Sequence, residues 1–258
     1  MPTPILKCND HFYAYDRSFT SRQFDPKEFG KVAVLMGGTS AERDVSLRSG
    51  AAILKALHAK GIDAWPVDAV GDFISKLIEQ KFDRVFIALH GGLGENGAVQ
   101  GALECLGLPY NGSNATASAL AMDKARSKLV FDGLGLPTPR FGIAYHYSQA
   151  KALAEDLGFP LAVKPIAEGS TIGTSCATKM EDMPKAFEEA RKYGPVIVEQ
   201  WITGQDVFVT VLMGEALPSV MVKVPSGFYD YHAKYQSTSN QYLCPAPIPP
   251  EKEQIVRD

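Results

Sequence analysis

Hydrophobic and polar positions follow two different periods along the first half of the chain. Short apolar runs that are typical of buried strands occur at 32–36, 64–67 and 84–89. Apolar residues at helical spacing fill the segments between them, at 45–60 and 72–80. Because strands and helices that take turns over short loops are characteristic of a parallel sheet, the pattern predicts a parallel α/β domain over residues 31–123.

The second half of the chain adds further elements around a Pro-Thr-Pro segment at 137–139. A helical stretch at 117–135 precedes that segment, and helices at 148–157 and 183–192 follow it. Apolar runs that predict strands lie at 159–163, 176–178, 195–201 and 207–213. We expect a small α+β lobe here, with a lysine on one strand and an acid on another, which is an arrangement suited to clamping a nucleotide.

A stretch of small residues follows the strand predicted at 159–163. Its sequence, KPIAEGSTIGTS at 164–175, begins with a lysine and contains Gly169 and Gly173. Glycines let the backbone approach a ligand, and backbone N–H groups together with hydroxyls are suitable donors to phosphate oxygens. The Gly-Lys-Ser or Gly-Lys-Thr of a Walker loop does not occur. The stretch is therefore compatible with a phosphate-binding loop and equally with a surface turn that carries a solvated lysine.

Polar residues also follow the first and third predicted strands, at the carboxyl ends where open α/β sheets bind ligands. The first loop carries Glu42, and the second begins with His90. Residues 92–97 satisfy G-x-G-x-x-G, which raises a dinucleotide-binding alternative. This fingerprint normally needs an acid at the end of the next strand, where the chain has Asn111. His90 itself is compatible with catalysis and with a structural role.

Composition and charge exclude several classes of partner. The 258 residues are 45% hydrophobic, which is ample for more than one compact lobe, and their formal net charge is -3. Such a balance offers no broad basic field, so we expect no nucleic-acid partner and no anionic membrane surface. The four cysteines lie far apart, which indicates neither a disulfide framework nor a zinc site. With apolar runs too short for a signal or transmembrane segment, we expect a cytoplasmic protein.

Six segments of the chain match one family in both sequence and order. They are GGTSAERDVSLRSG (37–50), ALHGGLGENGAVQGALECLGLPYNGS (88–113), ALAMDKARSKL (119–129), VKPIAEGSTIGTS (163–175), VIVEQWITGQD (196–206) and FYDYHAKYQSTSNQYLCPA (228–246). Together they resemble the D-alanine–D-alanine ligase family of the ATP-grasp superfamily. The resemblance implies a parallel α/β, or pre-ATP-grasp, domain followed by an α+β ATP-grasp domain. It also implies ATP-dependent ligation of two D-alanines through an acylphosphate, for peptidoglycan synthesis.

The resemblance also divides the chain into parts. They are an N-terminal extension (1–30), a substrate-binding α/β domain (31–123), a central ATP-grasp lobe (124–208) and a partial C-terminal lobe (209–258) with a loop that closes over the substrates (225–245). Closure of such a loop excludes water from a reactive acylphosphate. Family members are commonly homodimers, so the resemblance makes a homodimer an expectation as well.

For the amino-acid substrates, the resemblance implies four residues. Glu42 would hold the ammonium group of the first D-alanine, and His90 would lie near its carboxylate. Glu42, Ser170 and Tyr235 would form a linked hydrogen-bond set at the reacting centre, as the catalytic residues. Tyrosine at position 235 favours a dipeptide product, since depsipeptide-forming relatives usually have phenylalanine there.

For ATP, the resemblance implies Lys124, Lys164, Gly169, Ser170, Thr171, Glu199, Trp201, Ile202, Asp206 and Lys234. The lysines would face the phosphates, with Lys234 at the γ-phosphate. Glu199 and the backbone of Trp201 to Ile202 would take the adenine, and Asp206 the ribose. Without the resemblance, Glu199 is also compatible with an exposed charge at a strand end, and Lys124 with a solvated helix lysine.

The chain departs from the family pattern at single positions and at its end. Asp206 stands where the family generally has Glu, Asn96 where it has Asp, and His232 where Glu is common. The family continues beyond the position of Asp258 with an arginine that stabilises the intermediate and with acidic and Asn ligands for Mg²⁺ or Mn²⁺. No residue of this sequence is assigned to those roles, so the resemblance predicts no metal ligand up to Asp258.

Two other hypotheses therefore stand beside the ligase. The first is a non-catalytic nucleotide or amino-acid binding module of the same fold, which the missing metal ligands favour. The second is a dinucleotide-binding oxidoreductase, which rests on residues 92–97 alone.

Overall fold

The computed structural model describes residues 24–212, 214–225, 229, 231–235 and 237–257, without the side chain of His232. Residues 1–23 of the predicted N-terminal extension lie outside the described residues, as do positions 226–228, 230 and 236 of the predicted closing loop. Asp258, where the predicted partial C-terminal lobe ends, also lies outside them. Among the helices that are described, none has the length and apolar character that a membrane crossing requires.

The N-terminal domain is a three-stranded parallel sheet covered by helices. Its elements are β1 Lys31–Met36, α1 Arg43–Ala59, β2 Asp63–Asp68, α2 Phe73–Glu79, β3 Arg84–Ile87 and α3 Ala98–Cys105, with the strands in the order β2-β1-β3. The predicted parallel arrangement is confirmed. Because β1 and β3 are neighbours, with Leu35 opposite Ile87, the loops that follow them meet at one edge of the sheet.

Strand β1 lies at the centre of this domain and is buried on both faces. Its residues Val32 to Met36 are all buried. Ala33 and Leu35 pack with Phe73 on one face, while Val34 packs with apolar residues of α1 on the other. A central parallel strand that is covered on both sides has an uninterrupted apolar sequence, which explains why this run is recognisable.

The helical segment that connects the domains is interrupted. The sequence predicted one stretch at 117–135, whereas the structure has α4 Ala115–Met122 and α5 Lys124–Gly133. Asp123 between them has an extended conformation, and its side chain accepts a hydrogen bond from the backbone N–H of Arg126. The prediction of a continuous helix is therefore wrong here, because an aspartate that caps a new helix ends the preceding one.

The central lobe is a four-stranded antiparallel sheet with two helices on one face. Its elements are β4 Phe141–Ala144, α6 Tyr147–Leu157, β5 Leu161–Pro165, β6 Ser175–Ala177, α7 Met183–Arg191 and β7 Val196–Gln200, in the strand order β4-β7-β5-β6. Val196 and Val198 of β7 pack with Phe187 of α7. Since side chains alternate along a strand, Ile197 and Glu199 point to the opposite face.

The C-terminal part contains a second antiparallel sheet and a short hairpin. Its elements are β8 Asp206–Phe208, β9 Val211–Leu212, β10 Glu215–Ala216, β11 Val220–Lys223, α8 Tyr231–Tyr235, β12 Gln241–Leu243 and α9 Pro250–Arg257. The prediction of one strand at 207–213 is wrong over residues 207–212, and Met213 lies outside the described residues. β8 pairs with β11 and β9 pairs with β10, so the chain changes its pairing partner after Phe208.

Candidate active site

A cleft of about 780 Å³ lies between the central sheet and the C-terminal sheet. All the residues that the resemblance implies for ATP line this cleft: Lys124, Lys164, Gly169, Ser170, Thr171, Glu199, Trp201, Ile202, Asp206 and Lys234. They come from helices α5 and α8, from strands β5, β7 and β8, and from the loops that follow β5 and β7. The fold therefore gathers them around one volume, which is large enough for a ligand of nucleotide size.

Lys164 and Glu199 form an ion pair across the floor of the cleft. Their strands β5 and β7 are antiparallel neighbours, and Lys164 lies opposite Ile197. Glu199 is thus the diagonal neighbour of Lys164 on the same face of the sheet, within reach of a long side chain. The resemblance implies that Lys164 contacts the phosphates of ATP and Glu199 the adenine. Their pairing with each other depends on the order of the strands, which the sequence did not predict.

A second lysine, Lys128 of α5, holds the other oxygen of the same carboxylate. Its Nζ lies 2.9 Å from Glu199 Oε2, and both side chains are about nine-tenths buried. Burial raises the pKa of the Glu199 carboxyl, but the two ammonium groups outweigh burial and bring that pKa below its usual value. The sequence analysis missed Lys128, although its position one helical turn after Lys124 placed it on the same side of the helix.

Lys124 stands at the first position of α5, where the helix meets the loop that follows β5. Its Nζ donates hydrogen bonds to the carbonyl oxygens of Ile166 and Glu168. Burial lowers the pKa of the Lys124 ammonium to about 8, and the nearby charge of Lys164 acts in the same direction. An ammonium that is desolvated in this way gains stability when an anion enters the cleft.

The loop from Glu168 to Thr174 has an unusual backbone. Ser170 and Thr171 have φ values of 49° and 65°, in the left-handed region that residues with a side chain rarely adopt. The Thr171 hydroxyl donates to the carbonyl oxygen of Tyr229 at 3.0 Å, which ties this loop to the C-terminal part. Backbone strain that is held by such contacts is a common feature of ligand-binding loops.

Glu42, Ser170 and Tyr235 are mutually hydrogen-bonded. The Ser170 hydroxyl lies 2.5 Å from Glu42 Oε1 and 2.7 Å from the Tyr235 hydroxyl, which in turn lies 2.9 Å from Glu42 Oε1. Glu42 is only 3% exposed. Glu42 follows β1, Ser170 follows β5, and Tyr235 is the last residue of α8. The cluster therefore joins the N-terminal domain, the central lobe and the C-terminal part. Burial raises the pKa of the Tyr235 hydroxyl, which keeps it protonated at neutral pH.

The glycines around this cluster leave space that side chains would fill. A Cβ at Gly91 would collide with Glu42 Oε2, and one at Gly169 would lie 3.6 Å from the same oxygen and 3.7 Å from Glu95 Oε2. Glu42 Oε2 therefore faces two positions that have no side chain. Glu95 also lines the cleft, next to the loop that contains Gly169.

His90 precedes Gly91, which borders this cluster, but His90 does not line the large cleft. Its Nε2 is 3.1 Å from the hydroxyl of Ser49 on α1, and its carbonyl oxygen accepts a hydrogen bond from the hydroxyl of Ser40. Its side chain lines a separate small pocket beside the turn at Gly37 and Gly38. The structure thus connects His90 to Glu42 through the backbone of Gly91, and its predicted contact with a substrate stays a prediction.

A metal site is not assembled by the residues that the structure describes. Within the described ranges, no three His, Cys, Asp or Glu side chains converge as metal ligands would. These residues do not fit the Mg²⁺ or Mn²⁺ that the resemblance implies, so we derive no step of a reaction through a metal ion. Asp258 is an acid outside the described ranges, and the location of the family's metal ligands beyond it stays a prediction.

Two antiparallel sheets that enclose a lysine-lined cleft, next to a parallel α/β domain that contributes an acid to it, define an ATP-grasp protein. The chain matches the family models described as D-ala D-ala ligase C-terminus over residues 131–258 and D-ala D-ala ligase N-terminus over residues 70–113. It is 50% identical over 235 residues to the D-alanine--D-alanine ligase of Ectopseudomonas mendocina (strain ymp), covering 91% of this chain and 75% of that protein. The chain belongs to the D-alanine–D-alanine ligase family.

Other relatives and solved structures agree with this membership. The D-alanine--D-alanine ligase of Pseudomonas entomophila (strain L48) is 47% identical over 246 residues, which cover 95% of this chain and 77% of that protein. The crystal structure of the Bacillus anthracis D-alanine--D-alanine ligase has a TM-score of 0.74 at 31% identity, over 88% of this chain and 75% of that one. The structure of the Bacillus anthracis enzyme complexed with ATP has a TM-score of 0.72 at 27% identity, over 88% and 74% of the two chains. The family and the ATP-grasp fold predicted from the sequence are confirmed.

Proposed function

We propose that this chain binds ATP in the cleft and uses it to join two D-alanines into D-alanyl-D-alanine for peptidoglycan. The observation that carries the proposal is the position of Ser170. Ser170 lines the cleft, and its hydroxyl is also hydrogen-bonded to Glu42 and Tyr235. A phosphoryl donor in the cleft and a carboxylate at the cluster would therefore meet at this serine.

The reaction has two steps. A carboxylate oxygen of the first D-alanine attacks the γ-phosphorus of ATP, the bond from that phosphorus to ADP breaks, and an acylphosphate forms. The neutral amine of the second D-alanine then attacks the acyl carbon and forms the C–N bond. The C–O bond breaks, and phosphate leaves with its electron pair and takes the proton that the amine loses. Both steps depend on positioning and on neutralising the charge of the phosphoryl group.

The lysines of the cleft are the groups suited to that neutralisation. Lys124 and Lys164 would face the phosphates, and Lys234 would face the γ-phosphate. Lys234 Nζ lies 5.3 Å from the centroid of the Tyr229 ring, a contact that holds its long side chain over the cleft. Lys164 would exchange its bond with Glu199 for one with a phosphate oxygen.

Two acids that line the cleft, Glu199 and Asp206, are suited to the nucleoside. The ionised Glu199 would accept a hydrogen bond from the amino group of adenine, next to the backbone of Trp201 and Ile202. Asp206 at the start of β8 would accept from a ribose hydroxyl. A carboxylate acceptor favours a base with an amino group over one with a carbonyl oxygen at the same place.

The cluster around Glu42 is suited to a small zwitterion. Glu42 Oε1 accepts from the hydroxyls, whereas Oε2 lies against Gly91 and faces Gly169, so an ammonium group would approach Oε2 from the side of Gly169. Three contacts join Glu42, Ser170 and Tyr235, but only two hydroxyl protons are available for them. Each hydroxyl is therefore able to change the oxygen to which it donates without moving. Such a set is able to redirect one proton toward a substrate carboxylate or a departing phosphate.

Three further expectations from the sequence belong to this proposal. They are a requirement for Mg²⁺ or Mn²⁺, a cytoplasmic location and a homodimer. The cytoplasmic location is supported by Cys105, Cys176 and Cys244, which are free and exposed thiols. Titration of the reaction with EDTA tests the first expectation, cell fractionation the second, and light scattering of the purified chain the third.

The direct test is an assay of phosphate release by the purified chain with Mg-ATP. We expect release in the presence of D-alanine, a matching amount of dipeptide by mass spectrometry, and neither of these with L-alanine. ATP binding without D-alanine-dependent release would instead favour the non-catalytic binding module. Failure of ATP to bind would contradict the assignment of the cleft.

A further inference from the structure

Lys128 is buried behind the cleft and makes three favourable contacts there. It is 7% exposed, its Nζ lies 2.6 Å from the Thr138 hydroxyl and 2.9 Å from Glu199 Oε2, and the Phe141 ring centroid is 4.9 Å away. Removing an ammonium from water is costly unless it is paired and hydrogen-bonded. The fold meets that requirement in full, which indicates that the charge serves a purpose at this place.

Glu199 has one cation on each oxygen, and the two cations differ in their surroundings. Lys164 pairs with Oε1, lines the cleft, and has 23% of its side chain exposed. Lys128 pairs with Oε2 from the protein interior and is not among the residues that line the cleft. When phosphate oxygens draw Lys164 away, Lys128 is the cation that stays with the buried carboxylate.

We infer that Lys128 is a positioning residue, which holds Glu199 ionised with Oε1 toward the cleft and thereby sets the preference of the site for adenine. The inference rests on the proposed role of Glu199 as the acceptor for the adenine amino group. Without Lys128, a nucleotide that takes Lys164 would leave Glu199 as a buried charge with no cation. The carboxyl group would then bind a proton or turn away, and a protonated carboxyl donates to a carbonyl oxygen as readily as it accepts from an amine.

The test compares the binding of ATP with that of inosine triphosphate, whose base has a carbonyl oxygen in place of the adenine amino group. Dissociation constants are measured by calorimetry without D-alanine, so no turnover is needed. We expect the wild-type chain to favour ATP, and Lys128→Met to reduce this preference about tenfold, the size of one charge-assisted hydrogen bond. Lys128→Arg should keep most of the preference, and Glu199→Gln marks the value expected when the ionised acceptor is lost.

The matched control is Arg126→Met, which removes a cation from an exposed position of the same helix. This variant should keep the wild-type preference. A folded Lys128→Met chain with the wild-type preference would overturn the inference, while a wild-type chain without any preference would contradict the role of Glu199 itself. If Lys128→Met does not unfold cooperatively, Lys128→Gln decides, because it removes the cation next to Glu199 but keeps a polar group near the Thr138 hydroxyl. An unchanged preference in that variant overturns the inference.

Discussion

Ser170 is the residue on which the two halves of the proposed site depend. It has a left-handed backbone at φ 49°, lines the cleft, and hydrogen-bonds to a glutamate 128 positions earlier and to a tyrosine 65 positions later. A glycine would adopt this backbone more easily. The presence of serine therefore indicates that its hydroxyl is needed there.

Ser170→Ala tests this requirement. The bond from Tyr235 to Glu42 remains, so we expect an unfolding midpoint close to that of the wild type. The affinity for ATP should change much less than the rate, because the backbone N–H groups of the loop are kept. The rate of dipeptide formation should fall by about 10²–10³, as for removal of a donor at a developing charge. Ser148→Ala, at an exposed position of α6, should retain the wild-type rate. A Ser170→Ala enzyme with full activity would contradict the role of the cluster.

The lowered pKa of Lys124 predicts how the affinity for ATP depends on pH. Its pKa is lowered to about 8 in the folded chain, mainly by burial. The contact with phosphate that we propose for Lys124 uses its charged form. Affinity for ATP should therefore be constant below pH 8 and fall by up to about tenfold per unit above it, with proton uptake on binding. In Lys124→Arg the guanidinium stays charged, so the decline should vanish whatever the affinity at neutral pH. Calorimetry from pH 7 to pH 9.5 measures both slopes, and equal slopes would contradict the assignment.

The same residue affects stability in the opposite sense. The unfolded chain holds the Lys124 proton up to about the ordinary lysine pKa, whereas the folded chain releases it near pH 8. More protons are then bound in the unfolded state between these values, so this group makes the free energy of unfolding rise with pH in that window. Urea unfolding of wild type and Lys124→Met, compared at pH 7.5 and pH 9.5, measures this contribution, which should be absent from the variant.

At the scale of elements, the apolar patterns were sufficient for the parallel domain because each strand there is a separate apolar run, and the central strand β1 is buried along almost its whole length. They were insufficient where a helix cap or the pairing of a strand determines where an element begins and ends. Asp123 splits one helical run, and the run at 207–213 changes its pairing partner. The contact between Lys164 and Glu199 was not predictable, because it follows from the adjacency of β5 and β7 and from their register.

The residues of the site were identified by resemblance, and their grouping came from the fold. The chain places Glu42 and Tyr235 193 positions apart, and no local pattern indicates that their side chains meet. Lys128 shows a different limit. From the sequence, a lysine four positions after Lys124 is expected on the solvated face of a helix. Only the packing of the fold shows that Lys128 is buried against Glu199.

Close contact between α1 and β1 depends on Gly50. A Cβ there would collide with the Cβ of Met36, near the backbone where little adjustment is possible. We expect Gly50→Ala to lower the free energy of unfolding by about 1–3 kcal/mol through overpacking. Gly101→Ala is the matched control, because its Cβ would meet Ala115 at an ordinary 3.6 Å and a helical alanine gains about 0.5–1 kcal/mol. Urea denaturation distinguishes the two, and a stabilised Gly50→Ala would show that the packing argument is wrong.

For the whole molecule, the site is the place where three parts of the chain meet, so ligands should stabilise all of them together. ATP at one hundred times its dissociation constant should add about 2.7 kcal/mol to the free energy of unfolding. At the same concentration, Lys164→Met should gain only about half of that, if it loses tenfold in affinity. Lys151→Met, which removes an exposed lysine of α6, should behave as wild type. Equal gains for the two variants would place the nucleotide elsewhere.

The acylphosphate route is tested with D-alanine that carries ¹⁸O in both carboxylate oxygens. If the carboxylate is phosphorylated by ATP and then attacked by the second amine, one labelled oxygen leaves with phosphate for each dipeptide formed. We predict one ¹⁸O per phosphate by mass spectrometry, and one labelled oxygen in the new peptide carbonyl. Dipeptide formation with unlabelled phosphate would contradict the acylphosphate route, and with it the proposal that the cleft and the Glu42 cluster act as one site.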